Sequence, residues 1–129
     1  MKRQMVSSEA RWESLVGYSR AVRAGQWVSV SGTTAAVEGG GAVGGDDIGE
    51  QTREALRRIQ IALEQAGAGL ADVVRTRMFV TDISRWEEVG RAHAEVFAEI
   101  RPATSMVEVS KLIDPALLVE IEAGAIVPQ

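Results

Sequence analysis

The chain contains no cysteine and a single histidine among its 129 residues. Without cysteine there are no disulfides, no thiolate catalysis and no Cys-ligated zinc or iron–sulfur site. One histidine excludes the two-histidine zinc motifs, and a Ser-His-Asp triad would have to use His93. No metal or cofactor is therefore expected. Long apolar runs are also missing: nothing approaches the roughly 18 consecutive apolar residues of a membrane span. Lys2 and Arg3 have no apolar run behind them, so no signal peptide is expected. Nor is there a basic excess. Lys and Arg number 14 against 18 Asp and Glu, for a net charge of −4 and a pI near 5.0. Such a chain is a poor non-specific ligand for nucleic acid. The missing cysteine fits a reducing cytosol, and the expected location is cytoplasmic.

A mass of 13.8 kDa is one domain's worth, and no repeat or linker divides residues 1–129. Surface scaling gives about 6,600 Å² folded against about 20,000 Å² unfolded, enough burial for a core. Residues 1–14 read as a polar arm with some strand. Tyr18 to Gly32 reads as a hairpin turning at Ala24-Gly25-Gln26, with Val28 and Val30 on one face and Trp27, Ser29 and Ser31 on the other. Asp46 or Asp47 should cap a helix whose apolar stripe is Ile48, Ala55, Leu56, Ile59, Ala62, Leu63 and Ala66, ended by Gly67 or Gly69. Val73 to Thr81 is a strand. Ser84-Arg85-Trp86-Glu87 has the form of a capping box, opening a second helix with Trp86, Val89, His93, Val96, Phe97 and Ile100 on one side; Pro102 stops it. Thr104–Ser110 and Leu117–Val127 are two further strands. The order is β-β-α-β-α-β-β, an α+β layer with two helices packed on one face of the sheet.

Alternation assigns the faces. Val119, Ile121, Ala123 and Ala125 belong under the helices, with Val74, Thr76, Met78 and Val80 beside them. Leu118, Glu120, Glu122, Gly124 and Ile126 face the other way, with Val73, Arg75, Arg77 and Phe79. A face carrying Trp27, Phe79, Leu118 and Ile126 is too apolar to be left in water, so a second subunit is expected to cover it. Glu120 and Glu122, about 6.5–7 Å apart at the backbone, either pair with Arg75 or Arg77 at that interface or present a carboxylate to a small ligand as acid, base or water holder.

Gly39 to Gly44 matches G-x-G-x-x-G literally. The dinucleotide motif needs a parallel βαβ unit and a helix N-terminus free for pyrophosphate. Here Asp46 and Asp47 occupy that terminus, so the segment is read as a flexible loop. His93, on an apolar stripe with no Asp or Ser at i±3 or i±4, is read as a hydrogen-bonded core histidine.

Several strings together resemble the Rid family (reactive intermediate deaminase, YjgF-like, also described as L-PSP endoribonucleases). They are Gly17-Tyr18-Ser19-Arg20-Ala21-Val22, Val28 to Gly32, Gln51 to Leu56, Asp72 to Asp82, Pro102 to Val109, and Leu118 to Ala123. The resemblance implies a chorismate-mutase-like fold, with three copies joined so that their sheets make a central barrel and ligand clefts lie between subunits. It also implies hydrolysis of imines and enamines such as 2-aminoacrylate. Tyr18, Ser31, Gly32 and Glu120 carry over, with Glu120 as the catalytic candidate and the others as substrate-binding candidates. In active members a Pro-Ala-Arg-Ser string supplies an arginine for the substrate carboxylate. This chain has Thr104 at that place, Gly90 where Asn is frequent, and Met106 where Cys or Thr is frequent; all three are cleft candidates. Arg75, Arg77 and Glu122 are candidates for the interface, and Arg77 also for a replacement clamp. The partners expected are a small-molecule metabolite and two further copies of the chain, with no membrane and no nucleic acid. Three activities compete: an imine or enamine hydrolase, a trimer that binds a metabolite without turnover, and a ribonuclease, which the acidic balance and lone histidine oppose.

Overall fold

The computed structural model describes residues 2–129. Among them six strands form one mixed sheet: β1 Arg3–Val6, β2 Ala21–Ala24, β3 Trp27–Thr33, β4 Val73–Val80, β5 Ala103–Glu108 and β6 Val119–Ile126. The order across the sheet is β1-β2-β3-β6-β4-β5. Every neighbouring pair is antiparallel except β4 and β5, which run parallel and are joined through a helix. The helices are α1 Arg11–Val16, α2 Ile48–Gln65 and α3 Trp86–Phe97.

The α2 stripe folds as its spacing demands. Ile48, Ala55, Leu56, Ile59, Ala62, Leu63 and Ala66 are all buried, against Val28, Val30, Val119, Ile121 and Ala125 of the sheet. Each fully buried Leu or Ile of this set contributes on the order of 1.5–3 kcal/mol. Asp47 is the N-cap and accepts a hydrogen bond from the Glu50 amide at 3.1 Å. Gly67, at φ 83°, turns the chain out of the helix in the left-handed conformation that other residues avoid.

Gln51 departs from the apolar pattern and is completely buried. Its amide nitrogen donates to Gly45 O (2.7 Å) and Ala116 O (2.9 Å), and its oxygen accepts from the Leu118 amide (2.9 Å). One side chain thereby satisfies three backbone groups on the two loops that lead into α2 and β6.

The structure corrects or extends the sequence reading at five places. The N-terminal arm is ordered: β1 pairs with β2, and α1 follows, with Glu13 accepting from Ser7 Oγ (2.9 Å) and from the Ser8 amide (3.1 Å) and hydroxyl (2.6 Å). Only Val6 of β1 is buried, so no alternation marks the strand. Val73 is in the core and Val74 is exposed, the reverse of strict alternation, because β4 bulges against β6 between Val73 and Arg75. Ser84 does not cap α3; it lies in a short 3₁₀ turn, where its amide and hydroxyl donate to Asp82 Oδ1. Trp86 is exposed rather than packed on the helix's apolar side. The glycine-rich segment is a closed loop, bridged by Ala36 and Ala42, with Gly39, Gly40, Gly41 and Gly44 at positive φ.

Candidate functional site

Glu120 stands on the β6 face turned away from α2 and α3, beside the end of β3. There β3 bulges: Val30 pairs with Ala123, but Thr33 pairs with Ile121, so one extra residue is accommodated between them. The bulge returns Thr33 to the core and lays Gly32 against Glu120. A Cβ at Gly32 would overlap the Glu120 carboxylate. The glycine is therefore needed for close approach rather than for an unusual φ.

Burial pushes the Glu120 carboxyl above its ordinary pKa, and the neighbouring Glu122 charge adds to the rise; Arg20 opposes it. Arg20 donates from Nη2 to Gly32 O at 2.7 Å and lies over the Tyr18 ring at 5.9 Å. Its Nε is buried without a partner, and burial lowers its pKa, although a guanidinium keeps its charge through the neutral range. Arg20 was missing from the sequence-derived candidates, yet it shares strand parity with Tyr18, a signal available in the chain. Ser31 is more constrained than expected: its hydroxyl donates to Ser19 O (2.6 Å) and its amide to Arg20 O (3.0 Å). It can meet a ligand only through hydroxyl lone pairs.

Thr104 and Met106 form a second group on β5. Thr104 pairs in register with Thr76 on β4, and both side chains lie on the helix side. Thr104 Oγ1 is 2.7 Å from Thr76 Oγ1, which is 3.0 Å from His93 Nε2 on α3. His93 is half-buried, tilted against Phe97 at 4.6 Å between centroids, and burial lowers its pKa. That is the hydrogen-bonded histidine read from the sequence. Met106 shares this side and packs against the core. Gly90 lies on α3, and a Cβ there would come no closer than 4.0 Å to the Trp86 ring one turn back on the same helix.

Arg75, Arg77 and Glu122 line a groove of about 340 Å³ on the Glu120 face, together with Trp27, Ser29 and Ser31. Arg75 Nη2 donates to Ser105 Oγ at 2.8 Å. Arg77 Nη1 lies 3.8 Å from Glu122 Oε1, and both side chains are about half exposed. Since Thr104 aligns with Thr76, Arg77 is on the opposite face of the sheet from Thr104. Within one chain it cannot act where Thr104 stands. In a single copy this open pair is worth about 0–1 kcal/mol. Arg77→Ala is expected to leave the melting temperature almost unchanged in dilute monomer and to lower it clearly in an assembly that covers the groove. Melting curves across a concentration series check this, and a large loss that does not depend on concentration would contradict it.

The sequence model of the family described as Endoribonuclease L-PSP matches residues 8–127. A Streptomyces coelicolor protein is 39% identical over 120 residues, 93% of this chain and 89% of that one. The 3-aminoacrylate deaminase RutC of Acinetobacter baylyi is 33% identical, over 97% of this chain and 98% of its own length. The crystal structure of a Mycobacterium tuberculosis member of the YjgF/YER057c/UK114 family is 66% identical with a TM-score of 0.89, covering 98% of this chain and 100% of that one. The Escherichia coli YjgF structure gives 28% identity and a TM-score of 0.81 over 95% and 98% of the two chains. Sheet order, helix placement and a family match over almost the whole chain agree: this chain belongs to the Endoribonuclease L-PSP family, with relatives that carry the YjgF and Rid names.

Proposed function

We propose that the chain hydrolyses imine- or enamine-like metabolites in clefts between copies of itself. The observation that carries this reading is Glu120, a half-buried carboxyl with a raised pKa, set against Gly32, whose carbonyl Arg20 holds, on the sheet face turned away from the helices. Hydrolysis of an enamine takes up one water and releases ammonia and a carbonyl product. A carboxyl whose pKa burial has raised holds its proton more readily than an exposed one, and can give it to the enamine carbon or the leaving nitrogen and take one from water. The deaminase names of related proteins support the reaction class. The RNA-directed family description finds less support in this chain, whose net charge is −4 and whose single histidine is tied to Thr76.

Two features support a cleft shared between copies. Glu120 and Thr104 lie on opposite faces of the sheet, so a site that uses both takes one from each copy. The single chain also exposes 7420 Å², above the roughly 6,600 Å² typical of a monomer of this mass. Trp27 and Ile126, neighbours across β3 and β6, are both about 45% exposed on that face. A trimer is expected by light scattering at micromolar concentration; a stable monomer would remove the shared cleft.

Thr104 offers a hydroxyl but no charge to a substrate carboxylate. Losing a desolvated charge-assisted contact costs roughly 2–5 kcal/mol. Supplied with 2-aminoacrylate by a coupled dehydratase, the protein is expected to turn it over at least about 30-fold more slowly than an arginine-bearing family member. Equal turnover would show that Thr104 does not shape the site. No turnover of any enamine, with ligand binding intact, would favour a metabolite-binding trimer.

A further inference from the structure

The polar chain behind Thr104 has one direction in which all three of its contacts are hydrogen bonds. Thr104 Oγ1 is close to two oxygens, Thr76 Oγ1 at 2.7 Å and Pro102 O at 3.2 Å. A carbonyl oxygen only accepts, so the bond to Pro102 uses the one hydroxyl hydrogen of Thr104. Thr76 must then donate its own hydrogen to Thr104. With that hydrogen committed, Thr76 can only accept from His93, which places a hydrogen on Nε2. One arrangement satisfies all three contacts: His93 Nε2–H to Thr76, Thr76 to Thr104, Thr104 to Pro102 O. Thr76 is completely buried, so its hydroxyl has no water to turn to if one of these bonds is lost.

We propose that Thr104 meets its ligand as a hydrogen-bond acceptor, held in that polarity by Thr76 and His93, and that this wall of the cleft selects an N–H donor rather than a carboxylate. The inference rests on the reading that Thr104 lines the ligand cleft. The oxygen of Thr104 accepts one bond from Thr76 and gives its hydrogen to Pro102, which leaves one lone pair for an amine, amide or imine N–H. A carboxylate there would meet lone pair against lone pair. Thr76 and His93 touch no ligand in this scheme and are positioning residues. Protonating His93 leaves Nε2–H in place, so the polarity does not change with pH. Among the described residues, β4 brings Thr76 to the His93 ring and α3 itself brings Phe97, and no carboxylate bonds it.

Two measurements test the inference. The protein has one histidine, so its ring ¹⁵N signals need no assignment strategy. They should show a protonated Nε2 and an unprotonated Nδ1 above the histidine pKa in the wild type; an unprotonated Nε2 would overturn the proposal. Binding is read with two neutral probes of similar size, pyruvamide, which carries N–H donors, and methyl pyruvate, which has none. Pyruvamide should bind on the order of tenfold tighter, the value of one hydrogen bond. Thr104→Val should erase that preference, Thr76→Val should reduce it without touching the ligand, and His93→Gln, whose amide nitrogen can still donate, should retain it. Equal affinity of the two probes, failure of both to bind, or a preference that survives Thr104→Val would each overturn the proposal. A preference of the expected kind in a protein that hydrolyses no enamine would sink the hydrolase reading and leave this one standing.

Discussion

Replacing Glu120 with glutamine is expected to raise the stability of the protein while removing its turnover. Burial and the Glu122 charge lift the Glu120 pKa in the folded state above that of the unfolded chain. The folded form therefore binds the proton more tightly. Stability falls as pH rises through the window between the ordinary carboxyl pKa of 4.5 and the raised folded value. At neutral pH the charged carboxylate opposes folding, and the neutral amide of Glu120→Gln does not. The variant should melt higher than the wild type at pH 7 and lose most of the advantage near pH 4. Its rate should drop by about 10²–10⁴, the usual contribution of a general acid or base. Scanning calorimetry at the two pH values and a turnover assay on the same preparation check both parts. A variant that melts lower at pH 7 would mean that Glu120 is held by partners that stabilise its charge. A variant that keeps its rate would remove Glu120 from the chemistry.

The second large effect lies away from the cleft. Gln51→Leu keeps much of the volume but leaves Gly45 O, Ala116 O and the Leu118 amide without their partner. An unsatisfied buried group costs about 1–3 kcal/mol, so the loss should be at least roughly 3 kcal/mol. For a domain of this size that is a fall of about 10 °C or more in melting temperature. Leu118 is two residues from Glu120, so the released lead-in to β6 should also blur the position of the carboxylate. Gln51→Glu keeps the acceptor for the Leu118 amide but sets a buried carboxylate against Gly45 O and Ala116 O, so at neutral pH it should lose at least as much, and recover part of it at low pH where the protonated carboxyl can donate once. Chemical denaturation at fixed protein concentration measures all three. A Gln51→Leu variant within about 1 kcal/mol of wild type would show that water or loop movement satisfies those groups instead.

The parts of this structure that were legible in the sequence are those where one physical signal dominates. The α2 stripe from Ile48 to Ala66, its Asp47 cap and the alternation along β6 from Val119 to Ile126 follow from burial at fixed spacing. The strings around Tyr18, Gly32, Met78 and Glu120 added the family. What escaped depends on pairing rather than pattern. Val73 and Val74 exchange faces because β6 imposes a bulge that no property of β4 alone announces. β1 buries one residue and so has no periodic signature. The direction of the Thr104–Thr76–His93 chain depends on a strand register and a helix position fixed only in three dimensions. Its trace in the sequence was two polar residues, Thr76 and His93, each set in an otherwise apolar stripe.

The contact between Gly32 and Glu120 joins two positions that are 88 apart in the chain into one heritable unit. A side chain at 32 would force the Glu120 carboxylate out of its present position. A substitution at either site therefore changes which residues the other will accept, and their effects cannot add. Gly32→Ala alone should displace the carboxylate; combined with Glu120→Asp, which withdraws it by one methylene, the same alanine meets less resistance.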